Sequence, residues 1–176
     1  MRRWSACGPG MRFSGMRTMS KDIAVVGGGA AGMMAAIAAA EQGARVCLLE
    51  PNQRLGKKLN ITGKGRCNVT NNCSMEELMA HIPRNGRFLY SAFSHFGSGE
   101  TMAFFEGLGV PLKTERGNRV FPVSDCAFDV SGALKRRLEK LGVRWVHDRA
   151  VSVLTADGAV PVSYTHLRAH ETVLDL

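Results

Sequence analysis

One stretch near the N-terminus constrains the fold more than any other. An apolar run, Asp22–Val26, suits a buried parallel strand, and it leads into a glycine-rich turn and then into an alanine-rich segment. Gly27, Gly29 and Gly32 follow the G-x-G-x-x-G spacing. In this pattern the first glycine permits a tight turn, the second lets a phosphate approach the backbone, and the third allows a helix to pack on the strand. Free N–H groups at the helix start then face the phosphates. The stretch therefore predicts a strand–turn–helix unit that binds a dinucleotide.

A second apolar run, Arg45–Leu49, predicts a parallel strand, and Glu50 follows it directly. An acidic residue at this place can accept hydrogen bonds from the hydroxyls of an adenosine ribose, whereas it would repel a ribose 2′-phosphate. The alternative is an ordinary β-α-β unit with a surface glutamate. The glycine spacing and the acidic residue together favour the dinucleotide.

The loop at positions 51–72 is polar, glycine-rich and basic. Its cations are Arg54, Lys57, Lys58, Lys64 and Arg66. Such a loop suits an extended anionic cofactor, although a solvated basic loop is the alternative. A simple nicotinamide dehydrogenase would continue with another short α/β unit, so this loop points to a different class of dinucleotide enzyme.

Two segments carry a more specific resemblance: RLGKKLNITGKGRCNVTN within this loop, and GNRVFPVS at Gly117–Ser124. They resemble the signature of a bacterial family of NAD(P)/FAD-dependent oxidoreductases, also labelled aminoacetone oxidase-like flavoproteins. This family includes members that form dihydrouridine in ribosomal RNA and members that reduce steroid-like alkenes. The resemblance covers residues 21–160. It implies non-covalently bound FAD, NAD(P)H as electron donor, and reduction of an activated double bond in a small molecule or in RNA.

The fold class follows from the alternation of strand and helix patterns together with this resemblance. We expect an α/β fold, namely a Rossmann-like FAD-binding domain with a parallel sheet, as the N-terminal fragment of a longer two-domain flavoprotein. For the full-length gene product we expect an enzyme, and for the 176 residues alone an inactive fragment. Residual nucleotide or RNA binding by such a fragment and a nicotinamide-only dehydrogenase are the alternatives.

The resemblance also assigns site residues, in two groups. Around the pyrophosphate and the adenosine ribose they are Gly27, Gly28, Gly29, Ala30, Ala31, Gly32 and Glu50. On the flavin side they are Lys58, Gly63, Gly65, Arg66, Cys67 and Asn68. The chain departs from the family pattern at Lys64, where glycine is usual.

Reduction of an activated double bond also needs a proton donor, and Cys67 is the candidate catalytic residue. We expect the neighbouring Arg66 to lower the pKa of its thiol and make it reactive. The alternative is that Cys67 only packs near the flavin and that the acid belongs to the remainder of the protein.

Further elements are predicted along the chain. Ser74 and Glu77 form a capping-box pattern before a short helix. The remaining segments are helices at Arg87–Phe96, Gly99–Gly107 and Asp129–Leu141, a hairpin of Leu112–Glu115 with Arg119–Phe121, and a strand at Arg144–Leu154. The phenylalanines of the aromatic helices are expected in the core, and they are Phe88, Phe93, Phe96, Phe104 and Phe105.

The two ends fit this pattern poorly. Residues 1–20 have no helical or strand periodicity and are expected to be a disordered leader or an overlong start. Residues 161–176 are expected to be artefactual, because VSYTHLRAHET can be back-translated into a transposase-type sequencing adapter. The alternative is a genuine tail in which His166 and His170 form a metal pair, but two histidines without a third ligand are weak evidence.

Composition narrows the class further. The chain has a net charge of +8, concentrated partly in the leader, which suits an anionic cofactor and leaves room for an RNA substrate. The five cysteines have no zinc spacing and form no credible disulfide framework. Cys47 lies within the second predicted strand and is expected in the core. No apolar run is long enough to cross a bilayer. We therefore expect a cytoplasmic protein without a structural metal or a membrane partner, whose oligomeric state the sequence leaves open.

Overall fold

A computed structural model describes residues 22–150 of the 176-residue chain. The predicted leader, the predicted tail with its two histidines, and the end of the last predicted strand lie outside the described residues. The described residues divide into two compact units, one formed by residues 22–53 with 141–150 and the other by Arg54–Lys140.

The elements alternate between strand and helix at both ends of the described region, with a helical section between them. In chain order they are β1 Asp22–Val26, α1 Ala30–Glu41, β2 Arg45–Leu49, a kinked 3₁₀ segment Leu59–Gly65, β3 Thr70–Asn71, α2 Met75–Ala80, α3 Gly86–His95, α4 Ser98–Gly107, β4 Leu112–Glu115, β5 Arg119–Pro122, α5 Ala127–Lys140 and β6 Arg144–Val146. The predicted elements are confirmed in type, and β6 is shorter within the described residues than the predicted strand.

The first unit is a parallel sheet covered by one helix. Its strand order is β1-β2-β6, and both strand pairs are parallel. Helix α1 connects β1 to β2 and buries Met33, Ala36 and Ile37, which the helical period places on one side. Leu48 and Leu49 of β2 are buried as well. This arrangement confirms the predicted α/β fold with a parallel sheet.

The expectation of a buried first strand is wrong for the described residues. Strand β1 lies at the edge of the three-stranded sheet, and the side chain of Val26 is 63% exposed. Cys47, expected in the core, is only half-buried in β2. An edge strand has a neighbour on one side only, so an apolar run by itself does not ensure burial.

The second unit is built around a small antiparallel sheet in the order β3-β5-β4. Strands β4 and β5 form the predicted hairpin, in which Glu115 pairs with Arg119. Val120 in β5 and Leu134 in α5 are fully buried. Helix α2 begins with the predicted capping box, in which the Ser74 hydroxyl accepts from the Glu77 backbone N–H. The core of this unit therefore lies between the hairpin and α5.

The aromatic prediction is only partly correct. Phe105 is buried, but Phe88 is 85% exposed and Phe96 is 41% exposed. Helix α3 turns Leu89 and Phe93, four residues apart, to its more protected side. Phe88 then points away from that side, because adjacent residues of a helix are about 100° apart. Phe104 and Phe93 are half-buried.

No helix in the described part of the chain is long and apolar enough to cross a membrane.

Candidate functional site

The turn after β1 has the backbone that the glycine pattern predicts. Gly27 has a φ of +101°, which glycine adopts easily and other residues rarely do. Its N–H donates to the carbonyl oxygen of Leu49 at 2.8 Å, which ties the turn to the end of β2. A Cβ atom at Gly32 would lie 1.7 Å from the Gly27 carbonyl oxygen, so only glycine fits there. Helix α1 and β1 can approach each other this closely because of that residue.

The N-terminus of α1 is open. Gly29 is its N-cap residue and no side chain caps the helix. A Cβ atom at Gly29 would meet nothing within 4 Å. Ala30 and Ala31 form the exposed first turn, where backbone N–H groups lack intrahelical acceptors. Small residues thus leave space for an anion, and the positive end of the helix dipole is directed at that space.

Glu50 lies beside this turn and is 8% exposed. Its Oε2 accepts from the backbone N–H of Gly28 at 2.6 Å, and its Oε1 accepts from the backbone N–H of Asn52 at 2.8 Å. The Asn52 side-chain amide also donates to Oε1. Burial raises the pKa of Glu50, but the hydrogen bonds from Asn52 and Gly28 outweigh it, so the pKa lies below its ordinary value. The carboxylate is therefore ionised at neutral pH.

This geometry fits the adenosine half of a dinucleotide. An ionised carboxylate has about four acceptor positions, and the three donors around Glu50 leave room for a ribose hydroxyl. The end of β6 holds the backbone of Glu50, because the Glu50 N–H donates to the Val146 carbonyl oxygen at 3.0 Å. The His147 ring contacts the Pro51 carbonyl oxygen at 2.8 Å. No sequence motif marks Asn52 or His147 as part of this site.

The second predicted group lies in the other unit, on the loop around the 3₁₀ segment. Gly63, Lys64, Gly65 and Cys67 all have positive φ. The family pattern has glycine at position 64, and the left-handed backbone of Lys64, with φ of 59°, gives the physical reason. A Cβ atom at Gly63 would lie 3.1 Å from the ring of Phe121, so this glycine also permits close packing.

Arg66 belongs to an ion cluster that no sequence motif indicates. Its guanidinium donates to Glu115 and, at 2.8 Å, to Asp125. Lys113 donates to the other oxygen of Asp125 at 2.6 Å. The guanidinium carbon also lies 4.1 Å from the centre of the Phe121 ring. These contacts raise the pKa of Arg66, through its hydrogen bonds to Glu115 and Asp125, and they fix the loop to the hairpin.

The expected activation of Cys67 by Arg66 is wrong. Cys67 is 3% exposed, and burial raises the pKa of its thiol, while a hydrogen bond with Thr62 lowers it only partly. Arg66 directs its charge toward two carboxylates instead. The thiol is therefore protonated at neutral pH. Whether Cys67 donates that proton in catalysis stays a prediction.

The remaining predicted residues have structural surroundings of their own. The Asn68 amide nitrogen, in the orientation that satisfies the network, donates to the carbonyl oxygens of Val120 and Thr70. Lys58 is exposed at the start of the 3₁₀ segment. The two predicted groups belong to different units, and contact of both with one cofactor stays a prediction. Between residues 22 and 150, no three histidine, cysteine or carboxylate side chains cluster as a metal site would require.

Comparison with known proteins places this geometry in a family. Residues 21–175 match the HI0933-like protein Rossmann domain. The 3-dehydro-bile acid delta(4,6)-reductase of Clostridium scindens is 40% identical over 124 residues, which are 69% of this chain and 30% of that protein. The ribosomal RNA dihydrouridine synthase of Escherichia coli is 37% identical over 75 residues, which are 43% of this chain and 18% of that protein. The chain therefore spans less than a third of the length of either relative.

A solved structure is similar at a lower level. The crystal structure of Thermovibrio ammonificans THI4 has 16% identity and a TM-score of 0.46, over 73% of this chain and 37% of that one.

The family match extends over most of the chain and includes both segments on which the sequence resemblance was based. The chain belongs to the HI0933-like protein family and contains its Rossmann domain.

Proposed function

We propose that this chain is the FAD-binding portion of an NAD(P)H-linked oxidoreductase that reduces an activated carbon–carbon double bond. The observation that carries the proposal is the Glu50 carboxylate, which is ionised, nearly buried and hydrogen-bonded to Gly28 beside the open N-terminus of α1. The names of two relatives, a bile acid reductase and a dihydrouridine synthase, support a reductase acting on double bonds.

In this proposal the first unit holds the adenosine and pyrophosphate of FAD. The N–H groups of Ala30 and Ala31 would face the pyrophosphate, and Gly29 would let it approach. Glu50 would accept from the ribose, with Asn52 and Gly28 holding its carboxylate in place. When bound, FAD supplies hydride transfer, which no amino-acid side chain provides. The loop around Arg66 would serve the flavin side.

For the substrate we infer RNA. The exposed side chains of Arg84, Arg87 and Phe88 could contact an RNA strand. The E. coli relative is named for ribosomal RNA. A small steroid-like enone is the second candidate, because the C. scindens relative is 40% identical and is named for a bile acid.

The cofactor assignment can be tested by titrating the chain with FAD and following flavin fluorescence. We expect the parent chain to bind FAD and the Glu50→Ala and Gly29→Asp variants to bind none. ADP should compete with FAD for the parent chain. Glu139→Gln is the matched control, because Glu139 is an exposed carboxylate of α5. Normal flavin stoichiometry in both site variants would show that the site is assigned wrongly. Binding of NAD(H) without flavin would favour a nicotinamide-only dehydrogenase.

The reaction is tested on the flavin-loaded full-length gene product, because the 176 residues alone are expected to be inactive. We expect consumption of NADPH or NADH when uridine-containing RNA is added, with dihydrouridine as the product. Consumption of NADPH or NADH with a steroid-like enone but not with RNA would favour the second candidate. Flavin binding by the full-length product without reduction of either acceptor would contradict the proposed reaction.

A further inference from the structure

An exposed basic and aromatic surface lies on α3 and the loop before it. We define it by Arg84, Arg87 and Phe88, all of which are exposed. Phe88 is 85% exposed, which is unusual for a large aromatic side chain. We propose that this surface binds single-stranded RNA. The inference rests on the proposed function, since RNA is the substrate class inferred there, and it names the surface that would hold it.

The exposure of this surface does not come from a helix that fails to pack. Gly86, at the start of α3, lies against the end of α2 and the residues after it. A Cβ atom at Gly86 would meet Met79 of α2 at 3.3 Å and Ile82, just past α2, at 3.7 Å. Leu89 and Phe93 form the protected side of α3. The helix therefore has an inner side, and Phe88 belongs to the side that faces solvent. Tyr90 is exposed too, but it lies about 200° around the helix axis from Phe88 and is not part of this surface.

The charge of the surface is not neutralised by its neighbours. Neither Arg84 nor Arg87 has an ion pair or a side-chain hydrogen bond with any residue between 22 and 150. No acidic residue occurs from Leu78 to Gly99. The two guanidinium groups are thus free to meet an anionic partner.

The acids that flank this stretch are engaged elsewhere. The carboxylate of Glu77 accepts from the backbone N–H of Ser74 at 2.9 Å, and that of Glu100 accepts from the backbone N–H of Gly97 at 2.9 Å. The pKa of Glu76 is lowered by hydrogen bonds from its own backbone N–H and from Ser74. All three carboxylates therefore serve helix N-termini rather than the arginines.

Cations beside exposed aromatic rings match the chemistry of a single strand. Its phosphates attract arginine, and its unpaired bases can stack on aromatic rings without regard to sequence. A duplex would use the arginines but keep its bases stacked within the helix. The exposed ring of Phe88 next to Arg87 therefore favours single-stranded over double-stranded RNA.

The experiment measures binding of a short fluorescein-labelled oligouridine to the full chain by anisotropy, over a range of salt concentrations. Phe88→Ala is expected to weaken binding about 5-fold or more, as loss of one stacking ring does, and Phe88→Trp to restore it. The double variant Arg84→Ala/Arg87→Ala should make the slope of log K against log salt less negative by about 1.4. Each lost phosphate contact to a single strand accounts for about 0.7 of this change.

The control is Arg136→Ala/Lys140→Ala, which removes the same charge from two exposed residues of α5. This variant should keep both the affinity and the slope. The proposal is overturned if the control weakens binding as much as the surface variants do, or if Phe88→Ala binds as the parent chain does. It is also overturned if the chain binds phosphatidylserine vesicles through these residues and does not bind the oligouridine.

The cofactor site and this surface can fail separately. FAD titration should show that Phe88→Ala retains FAD. The anisotropy measurement should show that Glu50→Ala still binds the oligouridine. Normal FAD binding by Glu50→Ala together with RNA binding that depends on Phe88 would reject the cofactor site and support the surface. Loss of FAD by Glu50→Ala with RNA binding that is independent of Phe88 would support the cofactor site and reject the surface.

Discussion

The carboxylate of Glu50 and the backbone N–H of Gly28 form a hydrogen bond of 2.6 Å. Strands β1 and β2 are neighbouring and parallel. The bond joins the end of β2 to the glycine turn that follows β1. A hydrogen bond to an ionised acceptor is about twice as strong as a neutral one. Glu50 therefore holds the turn in place as well as offering its remaining lone pair to a ligand.

Gly32→Ala should destabilise the first unit. The new methyl group would lie 1.7 Å from the Gly27 carbonyl oxygen, so α1 and the turn would have to move apart. Overpacking of this kind costs about 1–3 kcal/mol or more. Urea unfolding of the variant and the parent chain measures the difference.

The matched variant for this test is Gly29→Ala. Its backbone has an ordinary negative φ of −76°, and a methyl group there would meet nothing within 4 Å. We expect its free energy of unfolding to stay near that of the parent chain while FAD binding weakens. Equal destabilisation by both substitutions would contradict the packing argument for Gly32.

Glu50 should make the stability of the chain depend on pH in the acid range. Its pKa in the folded state lies below the ordinary value of 4.5, so the unfolded chain binds more protons in that window. The stabilisation is then fully present above about pH 4.5 and is lost as the pH falls through the folded pKa. Urea unfolding between neutral and acid pH measures it.

Glu50→Gln should flatten this acid limb, because a neutral amide does not titrate. Glu139→Gln, on the exposed side of α5, should leave it unchanged. An acid limb that is as steep in Glu50→Gln as in the parent chain would show that Glu50 is not its source.

Lys64→Gly should stabilise the second unit. Lys64 has a φ of 59°, in the left-handed region where a side chain costs about 1–2 kcal/mol. Glycine removes that strain but adds unfolded-chain entropy, so a net gain of about 0.5–1 kcal/mol is expected. Lys58→Gly is the control. Lys58 has a helical φ of −69°, so glycine relieves no strain there and the Lys58→Gly variant should lose stability instead. A loss in both variants would speak against strain at Lys64.

Arg66→Gln should raise the pKa values of Glu115 and Asp125. Both are lowered in the structure, Glu115 mainly by its hydrogen bond with Arg66 and Asp125 mainly by those with Lys113 and then Arg66. NMR titration of the side-chain carboxyl carbons measures the change. Arg119→Gln is the control, since Arg119 lies over the same Phe121 ring at 5.9 Å but has no ion pair with either carboxylate. Unchanged carboxyl titrations in Arg66→Gln would disprove the cluster.

Cys67 should react slowly with thiol reagents at neutral pH. Its thiol is nearly buried and burial raises its pKa, so little thiolate reaches the reagent. Cys73 and Cys126 are half-buried and should be modified earlier. Mass spectrometry of peptides after timed iodoacetamide treatment gives the order. Modification of Cys67 before the other two would restore the hypothesis of an activated thiol.

The sequence alone determined the features that depend on local backbone chemistry. The glycine spacing predicted the turn at Gly27 and the close packing at Gly32, because few other residues permit a positive φ or so short a contact. The alternation of apolar runs and helical patterns predicted a parallel sheet, and the capping box at Ser74 predicted the start of α2. Each of these signals lies within a few residues of the element that it specifies.

Only the tertiary structure decided which side chains meet across long separations in the chain. Arg66 lies 59 residues from Asp125, and no local pattern shows that the two would pair. This pairing directed the charge of Arg66 away from Cys67 and left burial to set the pKa of the thiol. The exposure of Phe88 likewise follows from which side of α3 packs against its neighbours. Hydrophobicity predicts that an aromatic residue can be buried, but packing decides whether it is.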